Sequence, residues 1–206
     1  MKTITQSLAY LTLASAVLVG CMSTTNPATA KYDGEKTAMM KKEVAMKNEA
    51  MKKEPQLNDL QIAHIAYTAG AIDIRYAHLA LALSDNPEVQ KFAELMVRDH
   101  TAVNNKALAL VKKLQITPED NPTSQQLNQQ AEQIREELSQ LRGEDFAKRY
   151  AANELGYHKT VNNVVENTFI PTAQNPELKA LLNAALQTFK VHQGHAAEMN
   201  QKVMGS

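Results

Sequence analysis

Four long stretches of this chain repeat apolar residues at every third or fourth position and none alternates them, which restricts the fold to helices packed on helices. Asn58-Asp59 offers an N-cap, after which Ile62, Ala66, Ala69, Asp73, Tyr76, Ala80 and Leu83 form one face of a helix ending near Ser84. Asn86-Pro87, a cap followed by an N1 proline, opens a second helix to about Gln115, with Val89, Ala93, Met96, Val103, Ala107 and Leu110 inward. Thr117 to Pro122 reads as a break. A more polar helix then runs from Thr123 or Ser124 to about Leu141 on Leu127, Ile134, Leu138 and Leu141. Gly143 interrupts it, and Phe146, Tyr150, Glu154, Tyr157, Val161 and Val165 carry the next helix to Pro171. Asn175-Pro176 repeats the cap-and-proline device before Leu178, Leu182, Ala185, Phe189, His192, Ala196 and Met199. Aromatic residues at 5% and the absence of tryptophan agree with an all-α chain. Two long hairpins predict an up-down four-helix bundle with one shared core.

Several ionisable side chains break the apolar pattern at inward positions. Asp73, His100, His158 and His192 fall on or beside the inward stripes of four different helices, and Glu154 precedes His158 by one turn. His195 follows His192 at i+3, on the adjacent part of the same face. An unpaired buried polar group costs about 1–3 kcal/mol and a charge more, so these side chains must meet one another, a metal or water. By that argument His100→Ala lowers stability by about 1–3 kcal/mol through orphaned partners. His64 and His78 fall off the inward stripe and are predicted to face solvent. Tyr67, Tyr76, Tyr150 and Tyr157 read as core edges with wet hydroxyls.

Residues from about Leu57 to Val203 resemble a ferritin-like bacterial envelope family known as domain of unknown function 4142. The resemblance rests on the acid at Asp73, where that family usually has glutamate, and on the run Phe92-Ala93-Glu94-Leu95-Met96-Val97-Arg98-Asp99-His100-Thr101-Ala102-Val103-Asn104. It rests also on Tyr150 through His158 to Glu166, and on His192 with His195-Ala196. It implies a four-helix bundle of ferritin-like type, often exported, and brings no established activity. Di-iron bundles use Glu-x-x-His on two helices, whereas here Val97 stands three residues before His100 and Phe189 three before His192. With one or two carboxylates and three or four imidazoles, Asp73, His100, Glu154, His158, His192 and His195 suit a single divalent ion such as Zn, Cu or Fe better than a carboxylate-bridged pair.

The start of the chain reads as an address. Lys2 and the apolar run from Leu8 to Val19 have the dimensions of a signal-peptide core, and Leu18-Val19-Gly20-Cys21 resembles the bacterial lipobox. Cys21 is the single cysteine. The alternative is cleavage after Ala28-Thr29-Ala30, which releases a soluble periplasmic protein without cysteine. Lipid on Cys21 anchors the protein to a membrane, and Met22 in place of aspartate resembles lipoproteins of the Gram-negative outer membrane. The divisions are a signal segment at 1–20, a lipid-anchored flexible tether at 21–56 and the helical domain at 57–204. Within the tether Met40-Lys41-Lys42-Glu43 returns as Met51-Lys52-Lys53-Glu54. It reads as a semi-rigid spacer or as a Cu(I)-scavenging thioether tail, the composition favouring the spacer.

Charge excludes one class of function. Lys and Arg total 22 and Asp and Glu 22; without residues 1–20, which hold Lys2, the basic count is 22 − 1 = 21, and so balanced a chain is no nucleic-acid binder. Three readings then stand. The first is a lipid-anchored structural or interaction bundle whose polar residues form a hydrogen-bonded network, without catalytic activity. The alternative is a divalent metal binder for envelope metal handling or stress resistance. The third, an oxidase or peroxidase, lacks its bridging carboxylates.

Overall fold

The structure, a computed structural model, describes Lys42 and residues 57–205. The signal segment at 1–20, Cys21 and the methionine-rich repeats lie outside the described residues, apart from Lys42, which is helical and exposed. The described residues hold five helices of 18 residues or more and no strand: α1 Asp59–Leu83, α2 Pro87–Leu114, α3 Pro122–Ser139, α4 Gly143–Val164 and α5 Pro176–Met204. None of them is long and apolar enough to cross a membrane.

Local chemistry sets the helix starts. Asn58 and Gln61 cap α1 reciprocally, each side chain accepting from the other's backbone N–H. Asn86 and Asn175 each accept two N–H bonds at the head of α2 and α5, with proline next in line. The stretch read as a break contains the same device: Asn121-Pro122 starts α3, one or two residues before the predicted Thr123 or Ser124, and Ser124 completes a capping box. Pro171 does not stop α4 where expected. Val165–Phe169 widens into a π-helical turn closed by Ile170 N–H to the Val165 carbonyl, and helix resumes over Ile170–Thr172. Proline lacks an N–H and crowds the carbonyl four residues back, and the wider turn relieves both conflicts.

The five helices alternate in direction along the chain, but the four that carry the two core clusters do not. The second half of α1 (Ile72, Tyr76, Ala80) packs with the first halves of α2 (Val89, Phe92, Met96) and α4 (Phe146, Tyr150) and the last part of α5 (Met199, Val203). The first half of α1 (Ile62, Ile65) packs with Val165 and Phe169 beyond α4 and with Leu178, Leu182 and Leu186 at the start of α5. Asp59 ties the two starts together by accepting from Gln174 and Asn175 N–H at 2.8 and 2.7 Å. Hence α1 and α5 run one way and α2 and α4 the other, which corrects the expected up-down alternation. The reason is α3. It lies along α1 in the same direction, His64 meeting Ser124 and Tyr76 meeting the Ala131 carbonyl, and so carries the chain back along the molecule before α4 begins.

α3 also corrects one exposure. His64 is half-buried, its Nδ1 2.8 Å from Ser124 Oγ, because a fifth helix covers the face that a four-helix reading leaves open. His78 is exposed, as expected.

Candidate metal centre

Between the two apolar clusters lies a polar layer. α1 supplies Asp73, α2 His100, α4 Glu154 and His158, and α5 His192, each near mid-helix, so that the direction of the helices brings them to one level. Their exposures are 0% for Asp73 and Glu154, 1% for His158 and His192, and 3% for His100. The inward stripe of α4 runs through Ala147, Ala151, Glu154, His158 and Asn162, which puts His158 at its centre and Tyr157 to the side.

The contacts are specific. Asp73 Oδ2 lies 3.3 Å from His100 Nε2 and 3.3 Å from His158 Nε2. Glu154 Oε2 is 3.9 Å from His158 Nδ1, and that Nδ1 donates to the Glu154 backbone carbonyl at 3.0 Å. Donation from Nδ1 leaves the His158 Nε2 lone pair toward Asp73. His192 Nε2 donates to Asp99 Oδ2 at 3.0 Å, which leaves its Nδ1 lone pair on the buried side. The donor atoms of His100, His158 and His192 all lie within 4.8 Å of one another, and so do those of Asp73, Glu154 and His158.

Among the described residues ten buried side-chain N and O atoms lack a hydrogen-bond partner, and seven of them belong to this cluster. They are both oxygens of Asp73, both nitrogens of His100, Glu154 Oε2, His158 Nε2 and His192 Nδ1. Native interiors leave few such atoms, each at a cost of about 1–3 kcal/mol. Seven such atoms on five neighbouring side chains do not form a satisfied network, and their chemistry is that of imidazole and carboxylate ligands, gathered in two groups that share His158. The spacing fits as well: two donors at ~2.0–2.1 Å from one tetrahedral ion stand about 3.3 Å apart.

Burial sets the proton states. It holds the His100 imidazole below its ordinary range and the His192 imidazole down to about 4, so that both rings are neutral and ligand-ready at neutral pH. Burial, with Asp73 second, pushes the Glu154 carboxyl well up. Asp99 goes the other way, its carboxyl lowered by the Arg98 hydrogen bond. Aromatic rings wall the site: Phe189 stacks on His100 at 4.8 Å and 5°, and Phe92 meets His158 edge-on at 6.0 Å. Phe189 and Val97 hold the positions where a di-iron bundle has glutamates; Phe189 lies flat on His100, and Val97 packs against the core.

His195 stays outside the cluster, its side chain 48% exposed and 3.9 Å from Glu198, because three residues turn a helix 60° away from the starting face. One participant, Asp99, escaped the sequence reading, and one expectation, for Tyr150, is corrected. Asp99 lies seven residues after Phe92 and three after Met96, spacings that place it on the shoulder of the inward stripe. Tyr150 is wholly buried with an unpartnered hydroxyl, not the wet edge expected.

The chain has known likenesses. The family model described as Domain of unknown function (DUF4142) matches residues 44–199. A solved structure described as "CopM in the Cu(II)-bound form" is similar at a TM-score of 0.54 and 13% identity, over 71% of this chain and 98% of that one, a likeness of fold. No curated protein matches.

Proposed function

Because this chain belongs to the DUF4142 family, whose description leaves function open, we propose a function from the site: the protein binds one divalent metal ion in the core of a ferritin-like helical bundle. In this reading α1, α2, α4 and α5 are the four bundle helices and α3 is the long crossover that ferritin-like folds contain. The observation that carries it is a buried cluster of seven unpartnered nitrogens and oxygens on Asp73, His100, Glu154, His158 and His192, whose ligand atoms gather in two groups of three that share His158. His100, His158 and His192 would supply nitrogens and Asp73 and Glu154 oxygens, a set suited to Zn(II), Cu(II) or Fe(II). The similarly folded copper-bound protein adds weight to copper. Burial suits holding an ion more than turning over a substrate, so the role is envelope metal handling rather than catalysis. The address read from the sequence completes the proposal: lipid on Cys21 holds the protein at the outer membrane, facing the periplasm.

Metal content tests it. The purified full chain, loaded in turn with Zn(II), Cu(II), Fe(II) and Mn(II) and then desalted, should retain one ion per chain by mass spectrometry. His100→Ala and His192→Ala should lose it. Retention of none after each loading refutes metal binding and returns the cluster to a structural role.

A further inference from the structure

The three imidazoles of the cluster are oriented by three different means. His158 is fixed by a backbone carbonyl of its own helix, through Nδ1 to the oxygen of Glu154 at 3.0 Å. His100 makes no side-chain hydrogen bond and is held by stacking on Phe189. Of the three, His192 alone is hydrogen-bonded to a carboxylate, and that carboxylate reaches solvent: Asp99 is 22% exposed, its Oδ2 accepting from His192 Nε2–H and its Oδ1 clamped by Arg98 Nε at 2.6 Å.

We propose that Asp99 is the positioning residue of the metal centre, fixing His192 in the tautomer that turns Nδ1 inward. The inference rests on the metal-binding reading. A neutral imidazole carries one proton, and only the other nitrogen can bind an ion. With Nε2–H committed to Asp99, the free lone pair is on Nδ1, which is buried and unpartnered, and His192 is one of the three imidazoles whose ligand atoms gather within 4.8 Å. Without that acceptor the proton is free to sit on Nδ1, pointing an N–H at the ion. The carboxylate also raises the basicity of the ring it faces, as carboxylate–histidine pairs do at metal sites. Arg98 occupies the second oxygen and keeps the carboxylate turned toward the ring. Asp99 itself belongs to neither group of converging ligand atoms, and its Oδ2 is taken up by His192 Nε2–H.

The test uses the full chain with Asp99→Asn and Asp99→Ala, Co(II) as a visible probe and Zn(II) competition for affinity. Removing an outer carboxylate typically weakens a metal site 10–100-fold, and that loss is expected here together with altered Co(II) bands. Asp99→Asn keeps an amide oxygen that can accept from the ring, so its metal-free unfolding midpoint should stay near that of the parent, whereas Asp99→Ala orphans the buried His192 Nε2–H and should lower it modestly without loss of the fold; His195→Ala should change neither affinity nor bands. Unchanged affinity and bands in both Asp99 variants overturn the assignment. So does a loss of affinity that only follows a collapse of the metal-free fold. If the parent chain itself takes up neither Co(II) nor Zn(II), the metal-binding reading falls first and this inference with it.

Discussion

Phe146, in the apolar cluster at the start of α4, and Asp73, in the polar layer, are equally buried, but their surroundings differ in kind. Phe146 stacks on Tyr150 at 5.9 Å and touches groups that leave water readily. Asp73 presents two oxygens to no hydrogen-bond donor. The apolar clusters at either end stabilise the fold, and the layer between them draws on that stability to keep donors bare. The arrangement is that of a site whose requirements oppose those of the core around it.

The largest expected effect comes from damaging an end. Phe146→Ala should cost about 3–5 kcal/mol in urea unfolding and leave metal stoichiometry unchanged. Coupled loss of both would erase the distinction between ends and middle. Acid should act on the middle instead. The unfolded chain takes up a proton on His192 near pH 6.5, whereas the folded metal-free chain resists until about 4. The stability contributed by the neutral ring is therefore complete above pH 6.5 and lost as the pH falls toward 4, on the order of 3 kcal/mol from this group. Burial lowers His100 in the same direction. Glu154, raised in the fold, contributes oppositely, its protonated form favouring folding as the pH falls toward 4.5. Urea midpoints between pH 7 and 4 should fall less steeply for His192→Leu than for the parent.

A smaller effect has the reverse sign. Asp73→Asn puts an N–H donor 3.3 Å from the unpaired nitrogens of His100 and His158, so the metal-free protein should gain about 1–3 kcal/mol while losing its ion. A drop in the metal-free thermal midpoint would show that the layer is already satisfied. The same geometry revises the expectation for His100→Ala. His100 has no hydrogen-bonded partner to orphan, so any loss comes from the cavity and from Phe189 stacking, offset by removal of two bare nitrogens.

The finest comparison is between glycines. A Cβ at Gly70 would lie 2.5 Å from Asn104 Oδ1, where α1 and α2 approach and Asn104 donates to the Tyr67 carbonyl. Gly156 and Gly194, between Glu154 and His158 and between His192 and His195, have nothing within 4 Å of that position. Gly156→Ala and Gly194→Ala should each raise stability by about 0.5–1 kcal/mol, and Gly70→Ala should lower it. Equal signs in thermal unfolding would contradict the packing described for α1 and α2.

Much of this was legible without coordinates, and particular residues show why. The three helix starts at Asn86-Pro87, Asn121-Pro122 and Asn175-Pro176 are chemistry within a few residues, so sequence determines them, even where Asn121-Pro122 was read as a break. Asp73, His100 and His192 were recognisable because a helix repeats its faces every three or four residues, and a polar residue on an apolar stripe stands out. The same rule left His195 ambiguous, since sixty degrees of rotation separates a ligand from an exposed side chain. What the tertiary structure decided is everything that depends on which helix lies beside which. Local periodicity carries no information about direction, so it could not show that α3 returns the chain along α1, covers His64 and sets α2 and α4 running the same way. Nor could it show that Asp99, 93 positions from His192, accepts the hydrogen bond of its Nε2–H. The sequence determined which side chains face inward; only the packing of helices against one another decided which lone pairs meet, because that depends on distances of a few ångströms between segments far apart in the chain.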